Sequence, residues 1–384
     1  RGSGTQVNDL KNPLIRVIKK HGKTLGALHM WLRELNAKGR DRVADVPMLV
    51  IGDEAANASS NTNKPDINPT ATNSWIRKIL RLFTKNCSVG YTATPFANIF
   101  IDPDALDKDA YEELFPKDFI HSLDAPSTYF GPDKVFLSET SSDIVLRKIT
   151  DCEKYLPFAH KNGSTVAELP DSLYKALDQF IVARAIRNLR GQERKHCSML
   201  INVSRFVSVQ KEVRSFIELR LHRIRDAVKA HYMMPEETSA KNEYMARLKA
   251  VFDAEFSDNE FAERRYEWDN VKASLWSVFE HLRTYVVNSK SDEVLDFEKY
   301  EKDGIGLTAI AIGGLNLSRG LTIPGRTISH MYRHTRISDT LMQMGRWFGH
   351  STGYEGICRL RRPKIGSALG RARRKEPVGL SLLT

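Results

Sequence analysis

The sequence predicts an α/β protein built from two parallel-sheet domains. Met48-Leu-Val-Ile-Gly-Asp53-Glu54 and Cys87-Ser-Val-Gly-Tyr-Thr92-Ala-Thr94-Pro95 are short apolar runs that end abruptly in polar residues. Runs of this kind are buried parallel strands delivering side chains to the carboxyl edge of a sheet, where open α/β folds bind ligands. The pattern returns in the second half, at Ser198 to Val203, Thr308 to Ile312 and Thr327 to Tyr332.

A chain of 384 residues with 41% hydrophobic content can bury a large core and divide into two domains. No run of eighteen apolar residues occurs, which argues against a membrane-spanning helix. The start, Arg1-Gly-Ser-Gly-Thr-Gln, is polar and lacks an initiator Met, as a truncated chain would. Cys87, Cys152, Cys197 and Cys358 are scattered, with Cys87 and Cys197 in or beside apolar runs, so they read as reduced core thiols of a cytosolic protein. No Cys/His spacing suggests zinc. The net charge is +11, but Arg359 to Thr384 holds eight Lys/Arg and one Glu and supplies +7 of it. The remaining +4 is ordinary for a solvated surface, so any nucleic-acid role must rest on motifs.

Taken in order, Leu14 to Leu35 has helical spacing and predicts an amphipathic helix leading into the Asp53 strand. Within it, His21-Gly-Lys-Thr24 resembles the end of a P-loop, but the required upstream Gly is Val17, and a P-loop joins a strand to a helix. The phosphate-cradling motif is therefore expected upstream of Arg1. Ala58 to Thr72 reads as a loop, Trp75 to Thr84 as a helix, and Pro103 to Pro132 as an irregular segment packed by aromatics. Asp143 to Pro170 reads as a linker, and Asp171 as the cap of an amphipathic helix from Leu173 to Leu189. Ser204-Arg205-Phe206 then follows a strand, and Val207 to Phe279 is charged, with apolar residues at helical spacing. The expected domains are 1–142, 143–358 with a helical insertion over about 207–290, and a basic tail over 359–384 whose Gly, Ala and Arg content suits a foreign or disordered segment.

The order Asp53-Glu54, Thr92-Ala-Thr94, Ser318-Arg319-Gly320-Leu-Thr322, Gln343-Met-Gly-Arg346 resembles motifs II, III, V and VI of superfamily 2 helicases. That resemblance implies two RecA-like domains and ATP hydrolysis in the cleft between them. An Asp in the first position suits Mg²⁺ and a Glu beside it suits the attacking water. Glu54 is thus the expected base, Asp53 the metal residue, and Arg346 the arginine finger, since its planar fork matches phosphate oxygens. Thr92 and Thr94 would couple the domains, Gly320 and Thr322 approach phosphate, and Gln343 sense the nucleotide. Ser204, Arg205 and Arg319 are the expected nucleic-acid contacts.

Longer stretches resemble one particular family, the Z1 domain, which carries an endonuclease label and occurs in bacterial restriction- and phage-defence-type proteins. The residues are Asp53-Glu-Ala-Ala-Asn-Ala-Ser59, Gly90-Tyr-Thr-Ala-Thr-Pro-Phe-Ala-Asn98, Leu114-Phe-Pro-Lys-Asp-Phe-Ile120, Met199-Leu-Ile-Asn-Val-Ser-Arg-Phe206, Ser318 to Thr322 and Asp339 to Gly349. The match runs from about Leu14 to Arg359. It implies DNA as partner, with Hsp90-like ATPase and nuclease subunits alongside. Ala56 departs from the family's Asp, and His350-Ser351 from its basic residue.

Two rival classes remain. Pro170-Asp171 and Glu193-Arg-Lys195 have the spacing of a nuclease that cuts DNA itself. Alternatively, the chain is a non-hydrolysing scaffold that keeps the helicase-like fold.

Overall fold

The runs that end at Asp53 and Thr92 form adjacent parallel strands, β1 (Met48–Gly52) and β2 (Asn86–Gly90), paired from Met48↔Asn86 to Gly52↔Gly90. The computed structural model describes residues 12–36, 43, 46–55, 71–92, 114–124, 126, 129–131, 135, 139–157, 159–257, 265–288, 295–314, 323–332 and 356–363. The chain divides into one compact unit at Arg1–Leu123 and another at Asp124–Thr384.

In the first unit, helices α1 (Gly22–Asn36) and α2 (Ala71–Arg81) pack beside these strands. Their core is Leu25, Leu32, Val43, Ile76, Ile79, Leu80, Leu82 and Phe83, with Leu28, Trp31, Met48 and Val50 against it. Leu25, Leu28 and Leu32 are one stripe at helical spacing, which is why the helix forms there. The expected helical start at Leu14 is not realised. Ile15 and Val17 are 85% and 95% exposed, so no packing supports helix ahead of Gly22. Gly22-Lys23-Thr24 opens α1 instead of lying inside a helix, and none of the preceding described residues is strand. The strands also differ from expectation. Leu49 and Ile51 are exposed and Met48 and Val50 are not, so β1 buries one face only, and the Cys87 thiol is exposed. Phe119, expected to pack, is exposed as well.

The second unit holds a six-stranded parallel sheet. Its strands are β3 (Leu146–Ile149), β4 (Cys197–Asn202), β5 (Leu282–Val287), β6 (Thr308–Gly313), β7 (Arg326–Met331) and β8 (Arg359–Pro363), in the spatial order β3-β8-β7-β4-β6-β5. β4 and β6 are buried at every position, as unbroken apolar runs predict for the centre of a parallel sheet. The helices in chain order are α3 (Glu139–Val145), α4 (Cys152–Tyr155), α5 (Asp171–Leu189), α6 (Val207–His231), α7 (Glu236–Ser239), α8 (Glu243–Glu255), α9 (Trp268–Ser274) and α10 (Phe297–Lys302). Met199, Ile201, Ile310, Ile312 and Ile328 face a core shared with α5, α6, α8 and α9; Leu200, Ala309, Ala311, Met331 and Leu360 face Phe130, Val145 and Phe297. Helices α6 to α9 follow β4, and the strand β5 (Leu282–Val287) lies inside the expected 207–290 segment; α5, α6, α8 and α9 share one sheet face.

Four expectations differ from the structure of this unit. The segment read as a linker contains β3, which pairs with β8. The start of the basic tail is β8 itself, with Arg359 and Leu360 buried between β3 and β7. Helix α5 is not amphipathic: fifteen of its nineteen residues are buried, because β7 lies against one side and α8 and α9 against others. Two of its buried arginines bond to nearby backbone. The Arg184 guanidinium donates to the carbonyls of Lys195 (2.8 Å) and Glu193 (2.7 Å), and Arg187 to that of His196 (2.7 Å), tying the helix to the turn before β4. Asp171 is its first helical residue and not its cap; the Asp151 carboxylate accepts the Ser172 N–H at 2.8 Å. No described helix is long and apolar enough to cross a membrane.

Candidate functional site

Strand β1 ends at Gly52, and the chain turns at once through Asp53, Glu54 and Ala55. Two backbone bonds hold this turn to the end of β2: Tyr91 N–H to Gly52 O at 2.8 Å and Ala55 N–H to Tyr91 O at 2.9 Å. The approach is close. A Cβ on Gly90 would lie 2.7 Å from that of Ala55, so only glycine fits there. Glu54 has a φ of 49°, the left-handed region, which costs a non-glycine residue about 1 kcal/mol or more. Its N–H donates to Asp53 Oδ1 at 2.9 Å.

A second clamp comes from the segment ahead of α1. Lys20 Nζ donates to the carbonyl of Asp53 at 2.8 Å and to that of Glu54 at 2.7 Å. Partial burial lowers the Lys20 pKa below the usual lysine value, and the nearby Asp53 and Glu54 carboxylates work against that shift. Asp53 is exposed and Glu54 half-buried, and half-buried Thr92 follows Tyr91. Among the described residues, no group of three or more His, Cys, Asp or Glu could hold a metal. One carboxylate at a strand end still suits Mg²⁺, which keeps several waters and is held by one or two carboxylates plus substrate phosphates.

In the second unit, Ser204 and Arg205 follow the carboxyl end of β4. Ser204 is buried; its hydroxyl donates to or accepts from His160 Nε2 at 2.7 Å and accepts the Phe206 N–H at 3.0 Å. Gln210 Nε2 donates to the Ser204 carbonyl at 2.9 Å. A Cβ on Gly314, just beyond β6, would lie 3.2 Å from the Ser204 carbonyl and from Arg205 Cα, so this corner is tightly built. Ser204 is thus engaged inside the unit. Arg205 is exposed, its guanidinium 4.7 Å from the Phe206 ring centre.

The structure therefore brings Asp53, Glu54 and Thr92 to one strand edge, and Ser204 and Arg205 to another. Thr94, Arg319, Gly320, Thr322, Gln343 and Arg346 lie outside the described residues. The rival nuclease pair does not assemble: Asp171 opens α5 and Glu193 follows its far end, and a nineteen-residue helix is about 28 Å long. Lys20 was missed by sequence reasoning, because the apolar spacing of Leu14 to Leu35 absorbed it into a helix. The signal that could have found it is the basic pair Lys19-Lys20 just ahead of Gly22.

The Z1 domain family model matches residues 172–364. That is half of the 384-residue chain. The chain belongs to the Z1 domain family. No curated protein and no solved structure matches it. The Z1 match begins at the first turn of α5 and runs just past β8, so it includes the strand expected to be a foreign tail. It does not extend to Lys20, Asp53, Glu54 or Thr92, which the expected resemblance from Leu14 onward had included.

Proposed function

We propose that this Z1 protein is a helicase-like, nucleic-acid-dependent ATPase of a restriction or phage-defence system, acting on DNA beside Hsp90-like ATPase and nuclease subunits. The observation that carries the reading is the Asp53-Glu54 turn at the carboxyl end of parallel strands, held with Glu54 at a φ of 49°. Strained non-glycine backbone at a strand end clusters at sites where side-chain placement matters.

In this reading Asp53 supports Mg²⁺, which when bound draws charge from the phosphates of ATP. Glu54 takes the proton of the attacking water, Arg346 pairs with the γ-phosphate, and Gln343 contacts the nucleotide. Gly320 and Thr322 approach phosphate, while Thr92 and Thr94 link nucleotide state to DNA held by Arg205 and Arg319. No Gly-x-x-x-x-Gly-Lys-Ser/Thr sequence occurs in the 384 residues, so these side chains act on metal and transition state and leave ground-state phosphate binding weak. DNA-stimulated ATP hydrolysis by the protein, compared with its Glu54→Gln variant, tests the reading. A nuclease assay on Glu193→Ala tests the rival: lost cleavage there, with Glu54→Gln still cutting without ATP, reverses the assignment.

A further inference from the structure

The geometry points to Lys20 as a positioning residue that holds the Asp53-Glu54 turn in its working shape. The inference rests on the reading of Asp53 as the metal residue and concerns a side chain that this reading does not use. The Lys20 ammonium donates to two successive carbonyls, Asp53 O at 2.8 Å and Glu54 O at 2.7 Å. These carbonyls stand on either side of Glu54, whose backbone is left-handed. A left-handed glutamate persists only where its surroundings over-determine it. Here Asp53 Oδ1 caps the Glu54 N–H, the Ala55 N–H is bound to Tyr91 O, and Lys20 closes the carbonyl side. Lys20 is half-buried and sits two residues before α1, so a helix docked on the unit's core anchors the clamp. Burial favours its neutral form, while the adjacent carboxylates favour the ammonium.

Two effects of removing Lys20 have opposite signs, and the sign decides the role. Deleting a cation beside Asp53 raises the affinity of that carboxylate for a divalent ion by Coulomb attraction alone. Deleting a clamp lets the turn relax and lowers it. Mn²⁺ is the probe, titrated by electron paramagnetic resonance into the 384-residue chain and its Lys20→Met, Lys20→Arg and Asp53→Ala variants. Amide hydrogen exchange at Glu54 and Ala55 is followed without metal. Lys20→Met is expected to speed exchange and weaken Mn²⁺ binding by about tenfold each, the size of one charge-assisted hydrogen bond, and Lys20→Arg to restore both. Unchanged exchange in Lys20→Met overturns the clamp whatever the metal does. Faster exchange with unchanged or tighter Mn²⁺ binding reduces Lys20 to a structural tie and overturns the positioning role. Mn²⁺ binding that survives Asp53→Ala overturns the metal reading instead, and the exchange data still judge the clamp.

Discussion

Arg359 of β8 and Glu255 at the end of α8 form a buried ion pair, Nε to Oε2 at 2.8 Å, and Arg147 of β3 reaches the same oxygen at 2.7 Å. Arg359 also donates to the Glu255 carbonyl and lies over the Phe256 ring at 4.8 Å. One acid thus joins two strands to the end of α8. Burial alone would raise the Glu255 pKa, but the Arg147 and Arg359 guanidiniums hold it below the usual glutamate value.

Removing that acid takes away the carboxylate that two guanidiniums share, one of them fully buried. Glu255→Ala should destabilise the second unit by about 3–5 kcal/mol, read from denaturant unfolding. Ending the chain at Cys358 should do at least as much, because it strips β8 from between β3 and β7. A stable unit after that truncation would mean that 359–363 is a dispensable tail.

His330 of β7 is fully buried, near Ser172 Oγ at 3.4 Å and Cys152 Sγ at 4.0 Å. Burial, then the Arg361 charge, lowers its pKa to about 3. With the folded pKa below the unfolded one, the unfolded chain takes up the proton first as pH falls. The neutral histidine's contribution is therefore complete above about pH 6.5 and shrinks from there towards pH 3. Between about pH 7 and pH 5 the parent should lose on the order of 2 kcal/mol more than His330→Gln. Equal pH slopes for the two proteins would contradict a buried neutral imidazole.

Gly90 and Ala55 test the turn at the first strand edge. Gly90→Ala places two methyl-sized groups 2.7 Å apart and should cost about 1–3 kcal/mol. Adding Ala55→Gly should recover part of that loss, since it removes the opposing atom, and thermal melting of the single and double variants measures the coupling.

Arg205 and Ser204 should separate binding from stability. Arg205→Ala is expected to weaken DNA binding, lower the salt slope by about one, and leave the melting temperature unchanged. Ser204→Ala should lower stability, because its hydroxyl serves His160 and Phe206.

What the sequence made legible was local. The apolar runs of β4, β6 and β7 and the helical spacing after Val207 each carry their own signal, and each forms the expected element. Longer-range compensation hid the rest. Helix α5 looked amphipathic because Asp178, Gln179, Arg184 and Arg187 are polar, yet all four are buried. β8 looked like a tail because Arg359 and Arg361 are charged, yet Glu255 and Gln179 receive them. At the candidate site, Asp53 and Glu54 were visible as a strand followed by a carboxylate pair. Lys20 was not, since its two partners are backbone carbonyls more than thirty residues away, which no side-chain pattern encodes.

The most direct measurement is DNA-stimulated, Mg²⁺-dependent ATP hydrolysis by the protein and by its Glu54→Gln variant, with ATP binding followed alongside. The variant keeps the shape of Glu54 and loses only the base. Its turnover should fall by at least about a hundredfold while ATP binding stays near the parent value. Hydrolysis at the parental rate in Glu54→Gln would contradict the account.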